Sequence, residues 1–580
     1  MTEPRAGRSR RLLVPAALAT LGCAGLLGRV VYIQVYQHDV LSAEAQAELE
    51  VDNTVYARRG AILDRNGDVL ATSVATWDIY VRAKDWVVPE DAIAGSTAIA
   101  TALRMDAAQL RTKVSAVGTG DVKIATDVDY DTGKALIDAK VKGLEALGNT
   151  KRVKPNGDIG ASIIGLLGYD NSGIAGMESS LNRVLAGLPG RVFFERDTTG
   201  DPIPYAQHVT HDPEQGKDIV LTIDRVLQDM AEKALNNAVV AHRAKGGTVI
   251  MMDPYTGDIL ALATNPSLKY STLNLDDNGQ LALLKNAAVT DLYEPGSVMK
   301  VVTAAAAIDA GVVTADTWYH DSGSIKIGTD TELKNFDNGS YGDQTMTGVL
   351  QHSINTGAVF MAQKLGATAF TRYLERFGFG STSGIELSGE PEAIFRRPDD
   401  EAWTEVDLAT QSFGQSISVT PVQMTTAFAA VINGGNLIQP RLVRATIDAQ
   451  GRREDIPVKV RGQAISAQTS ATLREMMRKV VDPPDGSYYH PGNPRDYTAG
   501  GKSGTANIPV PNGYNDTQIA SFIGFAPFDS PRLLIMVKLD NNADLLTGTT
   551  AAAPIFADLV DRSLAYMKVR PDAGDLVARP

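Results

Sequence analysis

A chain of 580 residues is too long for one ordinary domain, and its length suggests two to four. Hydrophobic content of 44% with 21% charged residues describes a globular protein, not a disordered one. A formal net charge of −13 and a pI near 5.1 argue against nucleic acid as a partner. The one cysteine, Cys23, excludes an intramolecular disulfide. The seven histidines show no H-E-x-x-H or paired-cysteine spacing, so neither a metal nor another cofactor is expected.

The chain opens with Arg5, Arg8, Arg10 and Arg11 against one acid, Glu3. An uncharged run over 12–28 follows, and after Arg29 the apolar character resumes at Val30-Val31-Tyr32-Ile33. The run is at the short end for a membrane span, and its apolar flanks extend it. Basic residues before it and Asp39, Glu44, Glu48 and Glu50 after it predict a cytoplasmic tail over 1–11 and one transmembrane helix over 12–36. Everything beyond about residue 38 then lies outside. A cleaved secretory signal shares the basic start, but no small-x-small site ends this run cleanly.

Residues 51–56 alternate, and Asn66-Gly67 between Ala61-Ile62-Leu63 and Asp68-Val69-Leu70-Ala71 predicts a hairpin. The stretch 88–150 is Ala-rich and reads as helical scaffold; 165–190 reads as turns around a short helix. Gly200, Pro202, Pro204, Pro213 and Gly216 mark a boundary. Beyond it a strand over 218–224 ends at the cap of a helix over 225–243, and 247–252 pairs with 259–263 around Asp253-Pro254-Tyr255-Thr256-Gly257-Asp258. Helices are expected over 301–309, stopping at Gly311, and over 347–365 as one element with Ser353-Ile354-Asn355 near its beginning. Further helices are expected from Thr420-Pro421 to 431, over 467–481 and over 552–567, with strands at 519–525 and 533–539. Residues 216–570 therefore form one mixed domain, with sheet-forming segments at both ends and helices between, ahead of a polar tail over 571–580.

Within that domain, Tyr293-Glu294-Pro295-Gly296-Ser297-Val298-Met299-Lys300 sets a serine and a lysine one helical turn apart. Pro295 and Gly296 suit a turn that delivers Ser297 at a helix N-terminus, where backbone N–H groups favour developing negative charge. A nearby amine can take the hydroxyl proton and activate the oxygen. An isolated S-x-x-K is expected on the order of once by chance in such a chain. Here, though, Ser353-x-Asn355 and Lys502-Ser503-Gly504 follow in order, the latter occurring once; another S-x-N stands at Ser180-Leu181-Asn182.

This ordered triplet resembles that of penicillin-binding proteins and serine β-lactamases. The chain is similar to the class B penicillin-binding proteins, monofunctional peptidoglycan D,D-transpeptidases. The likeness extends to Arg59-Gly60-Ala61-Ile62-Leu63-Asp64-Arg65-Asn66-Gly67, to Gly173-Ile174-Ala175-Gly176-Met177-Glu178 and to Met252-Asp253-Pro254-Tyr255-Thr256-Gly257. Ser503 replaces the usual threonine, and Ser416 stands where glycine is usual after Phe413-Gly414-Gln415. The resemblance implies a mixed α+β fold: a transpeptidase-like domain over 216–570, its antiparallel sheet flanked by helices. An elongated α+β pedestal, dimerisation-like, would precede it over 37–215, after the transmembrane helix.

For the site it implies Ser297 as nucleophile, Lys300 as base, Ser353 as proton relay and Asn355 as a hold on the substrate amide and on Lys300. Lys502 would supply positive potential, Ser503 and Thr505 would bind the terminal carboxylate, and Gly504 would admit the substrate backbone. The backbone N–H groups of Ser297 and Thr505 would form an oxyanion hole. The implied partners are peptidoglycan stem peptides (a D-Ala-D-Ala donor and an amine acceptor), β-lactams and a polytopic membrane glycan polymerase. The alternatives are a β-lactam sensor or hydrolase of the same fold, and a scaffold that activates such a polymerase.

Overall fold

The computed structural model describes residues 10–38, 40–42, 50–55, 57–118, 120–168, 170–195, 209–482, 490–510, 513–542 and 547–573. They fall into two compact units, one of Met1–Ala57 with Gly187–Gln215 and the other of Arg58–Ala186 with Gly216–Pro580. The first unit contains a helix Arg10–Val31, continued as a π-helical turn Tyr32–Tyr36, and an antiparallel trio of strands Glu50–Val55, Gly190–Glu195 and Val209–His211. Pro15–Tyr36 is long and apolar enough to cross a membrane.

The second unit is built around a five-stranded antiparallel sheet. Its strands are β1 (Gly246–Met252), β2 (Ile259–Asn265), β3 (Gly500–Val510), β4 (Gly513–Ala526) and β5 (Leu533–Asn542), in the spatial order β2-β1-β5-β4-β3. Alternation along the strands divides the core in two. Val249 and Met251 of β1, with Ile535 and Val537 of β5, pack beneath helices α1 (Arg225–Ala241) and α6 (Ala553–Tyr566). Ile250, Met252, Leu534 and Met536 face the other way, toward α2 (Met299–Asp309) and α5 (Pro421–Ile432). With both faces covered, the strands read as continuous apolar runs. The mixed fold with an antiparallel sheet flanked by helices is therefore as expected.

The helical expectation for one stretch is corrected. The segment 88–150 is not purely helical: helices Pro89–Leu103, Ala107–Ser115 and Tyr130–Asp138 alternate with strands Asp121–Asp129 and Leu144–Val153. Val122, Ile124 and Val128 bury one face of the first of these strands, a two-residue period that the alanine-rich surroundings obscure. The glycine-rich Lys502 segment is itself a strand, β3. Its glycines are tolerated because Phe525 and Phe522 fill the space beside Gly500 and Gly501, where a Cβ would stand 2.6 Å from each ring.

A second sheet crosses the sequence boundary: strand Asp218–Leu221 pairs in parallel with Ile62–Leu63, which pairs in turn with Val69–Arg82. The motifs at 59–67 and 173–178 meet beside it. Glu178, fully buried, accepts from Arg59 Nε at 2.6 Å and from Arg152 Nε at 2.7 Å, and both guanidinium groups are themselves almost fully buried. Asp64 and Asn66 of the hairpin turn reach the start of α1: the Arg225 N–H donates to Asp64 Oδ2 (3.2 Å), and Asn66 Nδ2 donates to Asp224 Oδ2 (3.0 Å). Removing the shared carboxylate leaves two buried cations without it, so Glu178→Ala should cost about 3–5 kcal/mol. The measurement is the melting temperature of the purified chain, and a wild-type value would contradict the assignment.

Candidate active site

The serine turn is held by close backbone packing. Gly296–Val298 form a 3₁₀ turn that runs directly into α2, so Ser297 stands at the N-terminus of one continuous helical segment. Gly296 has φ +58°, and a Cβ there would lie 2.8 Å from the Thr505 carbonyl oxygen of β3. Opposite, Gly414 has φ +85°, and its Cβ would lie 2.1 Å from the Gly296 carbonyl oxygen. The Gly296 N–H donates to Gly414 O (3.0 Å), Tyr293 and Val419 exchange backbone bonds (3.0 Å each), and Glu294 Oε1 accepts from the Ser416 N–H (2.8 Å). Phe413-Gly414-Gln415-Ser416 thus clamps the turn that presents Ser297.

The expected single helix over 347–365 is two helices, α3 (Met346–Gln351) and α4 (Asn355–Leu365). Between them Ser353 adopts φ +57°, a left-handed conformation that breaks the helix. The break brings the Ser353 hydroxyl to two lysines at once. Its Oγ accepts from Lys300 Nζ at 3.2 Å and from Lys502 Nζ at 3.0 Å. Lys300 also donates to the Ser353 carbonyl, and Lys502 to the Ser503 carbonyl (3.0 Å). Both lysines are buried. Loss of hydration, and then the charge of Lys502, hold the Lys300 ammonium well below the usual lysine range. Burial lowers Lys502 to about 7. His490, also buried near Lys502, is pushed down to about 4.

Ser297, Ser353, Asn355, Ser503 and Thr505 line one cavity of about 250 Å³, while Lys300 and Lys502 lie behind its wall. The Ser297 hydroxyl makes no hydrogen bond among the described residues; before substrate binds, such catalytic contacts are commonly long and tighten in the reacting complex. Asn355 donates its carboxamide N–H to Lys334 O (2.9 Å), whereas the hydrogen bonds of Lys300 go to Ser353. Thr505 Oγ1 accepts from the Gly548 N–H (3.1 Å). Gly504 serves the interior: a Cβ there would meet Ser521 Oγ at 2.5 Å, Pro295 O at 3.0 Å and Val298 Cγ1 at 3.2 Å. Its missing side chain lets the serine turn dock on β3.

Sequence reasoning missed the remaining wall: Asn335, Phe336, Asp337, Tyr341 and His352, with Tyr341 stacked on His352. The available signal was Asn335-Phe336-Asp337-Asn338-Gly339, a turn-forming stretch shortly before Ser353. Among the described residues no group of three or more His, Cys, Asp or Glu is placed to hold a metal ion.

Residues 247–561 match the Penicillin binding protein transpeptidase domain, and residues 54–221 match the Penicillin-binding Protein dimerisation domain. The chain is 30% identical to Stage V sporulation protein D of Bacillus subtilis, over 94% of this chain and 83% of that protein. It is likewise 30% identical to Peptidoglycan D,D-transpeptidase FtsI of Escherichia coli, over 95% of this chain and 91% of that one. Penicillin binding protein 3 from Mycobacterium tuberculosis, solved with aztreonam, superposes with a TM-score of 0.69 at 27% identity, covering 90% of this chain and 98% of that one. The chain belongs to the penicillin-binding protein transpeptidase family.

The clamp can be tested by substitution. Gly414→Ala forces a Cβ onto backbone at a positive φ and should destabilise the chain by roughly 2–4 kcal/mol in thermal denaturation. Ser416, at φ +55°, accepts from Thr410 Oγ1 (3.0 Å). Ser416→Ala should cost about 1 kcal/mol through that lost bond. Ser416→Gly relieves the strained φ as it loses the bond and should be close to neutral.

Proposed function

We propose that this protein is a serine D,D-transpeptidase that cross-links peptidoglycan stem peptides. In this reading it is anchored in the bacterial plasma membrane by its N-terminal helix, with the N-terminus cytoplasmic and the catalytic unit outside. The supporting observation is the Ser353 hydroxyl shared by Lys300 and Lys502 beside the Ser297 turn.

The available donors and lone pairs support a division of roles. A neutral Lys300 has two N–H donors, both engaged by the carbonyl and hydroxyl of Ser353, so its lone pair remains for the Ser297 proton. Ser297 then attacks the carbonyl between two D-alanines. The Ser353 oxygen accepts from both lysines, which leaves its O–H to protonate the departing D-alanine amine. The protonated Lys300 returns a proton to Ser353 as that amine leaves. Asn355 lies on the cavity where it can hold the substrate amide. Lys502 in its charged form, with the hydroxyls of Ser503 and Thr505, attracts the terminal carboxylate. The backbone N–H groups of Ser297 and Thr505, brought close because Gly296 has no side chain, stabilise the oxyanion by about 3 kcal/mol per donor. An amine from a neighbouring stem peptide resolves the ester. A β-lactam enters as a cyclic analogue of the donor and leaves Ser297 acylated. The anchor and the dimerisation-like region suit assembly with a polytopic membrane glycan polymerase.

Fluorescent penicillin should label the protein durably, and Ser297→Ala should abolish the label. Rapid release of hydrolysed drug would point instead to a β-lactamase, and an unlabelled but folded wild type to a scaffold. The acylation rate should fall as pH drops and Lys300 takes up a proton, since only the neutral amine is a base. Above about pH 7 Lys502 loses its charge, and carboxylate binding should weaken. Stopped-flow acylation across pH should therefore give a bell-shaped second-order rate constant; a flat profile would remove the lysines from these roles.

A further inference from the structure

The flap ahead of Ser353 holds a carboxylate that the steps above do not use. Asp321, at the end of strand Trp318–Asp321, is fully buried. Its Oδ1 accepts from Thr356 Oγ1 (2.6 Å) and the Gly323 N–H (3.1 Å), and its Oδ2 accepts from Asn335 Nδ2 (2.8 Å) and the Tyr341 N–H (2.9 Å). A carboxylate offers about four acceptor sites, and here neutral donors supply four bonds.

Asn335, held at its nitrogen by Asp321, turns its carboxamide oxygen to the first turn of α4. There it accepts from the Asn355 N–H (3.0 Å) and the Thr356 N–H (3.3 Å). That helix has no cap of its own, because its N-cap residue is the apolar Ile354. The orphan donors at its start are thus satisfied from the flap. Immediately before them stands Ser353, in a left-handed conformation that a non-glycine residue keeps only where its surroundings impose it.

We propose that Asp321 is the positioning residue for Ser353: acting through Asn335 and Thr356, it fixes the start of α4 and so holds the Ser353 hydroxyl where Lys300 and Lys502 both reach it. This inference rests on the serine acyl-enzyme reading. A purely structural carboxylate would lower the melting temperature and leave the chemical step of the folded fraction untouched. A positioning carboxylate changes that step, because a displacement of about 1 Å in a catalytic group can cost on the order of a hundredfold in rate.

The experiment is stopped-flow acylation of the full-length, detergent-solubilised protein by fluorescent penicillin, resolved into the non-covalent dissociation constant and the acylation rate of the active fraction. In Asp321→Asn a donor replaces Oδ2 and confronts the N–H groups of Asn335 and Tyr341. The acylation rate should fall roughly ten- to hundredfold while the dissociation constant moves less than about threefold. A wild-type acylation rate in Asp321→Asn would overturn the proposal. If Asp321→Asn does not fold by circular dichroism, Thr356→Val removes one donor at nearly constant shape. An acylation rate lowered about fivefold supports the assignment, and an unchanged one overturns it. Wild type and Ser297→Ala run alongside separate the two levels: an unlabelled wild type sinks the acyl-enzyme reading and the inference with it, whereas a labelled wild type with an unaffected Asp321→Asn sinks the inference alone.

Discussion

Two lysine side chains buried on one serine hydroxyl are unstable company. Each has given up water, and a charge on one repels a charge on the other, so both hold a proton less readily than an ordinary lysine. The contact with Ser353 depends on three parts of the chain far apart in sequence: the start of α2, the break between α3 and α4, and β3. Much of the surrounding architecture serves to bring those three segments together. Glycines at 296, 414 and 504 remove side chains where backbone must meet backbone, and a helix is broken where a hydroxyl must face inward.

A comparable economy governs the part of the chain that holds Arg59 and Glu178. Arg59 and Glu178 belong to motifs that look unrelated in sequence, and neither resembles a catalytic group. Their pairing, with Arg152 completing it, shows why a charged residue recurs within glycine-rich turns: the turns exist to bring a carboxylate into an apolar interior where two guanidinium groups wait. Asp64 and Asn66 extend that arrangement to the first helix of the catalytic part.

The fold class, four of the five strands of the central sheet and the serine, lysine and hydroxyl-bearing segments were legible because strong local signals carried them. Those signals were Asn66-Gly67, the capped start at Thr420-Pro421, continuous apolar strands and three ordered short motifs. What stayed hidden depends on long-range packing. The 347–365 periodicity is continuous through Ser353, and the contacts that hold the break come from elsewhere in the chain: two lysines at the hydroxyl and Asn335 at the start of α4. β3 reads poorly as a strand because the rings that replace its side chains lie on β4. Asp321 and Asn335 could not be singled out, since a carboxylate beside a turn is an ordinary surface residue until the fold buries it. Gly504 was legible as a glycine, but the direction of its missing side chain was not.

The strand order of the central sheet carries one more consequence. β1 lies between β2 and β5, and Gly246 faces Asp540 across the ladder, so most of the catalytic sequence is threaded out and back before the sheet can close. Closing so long a loop brings little reward until its two ends meet. β3, which supplies Lys502 and Thr505, is the outermost strand and depends on β4 and β5 for its place. A polypeptide synthesised N-terminus first therefore holds its serine turn before the facing strand exists. The contact between Lys502 and Ser353 has to wait for the C-terminal strands of the sheet.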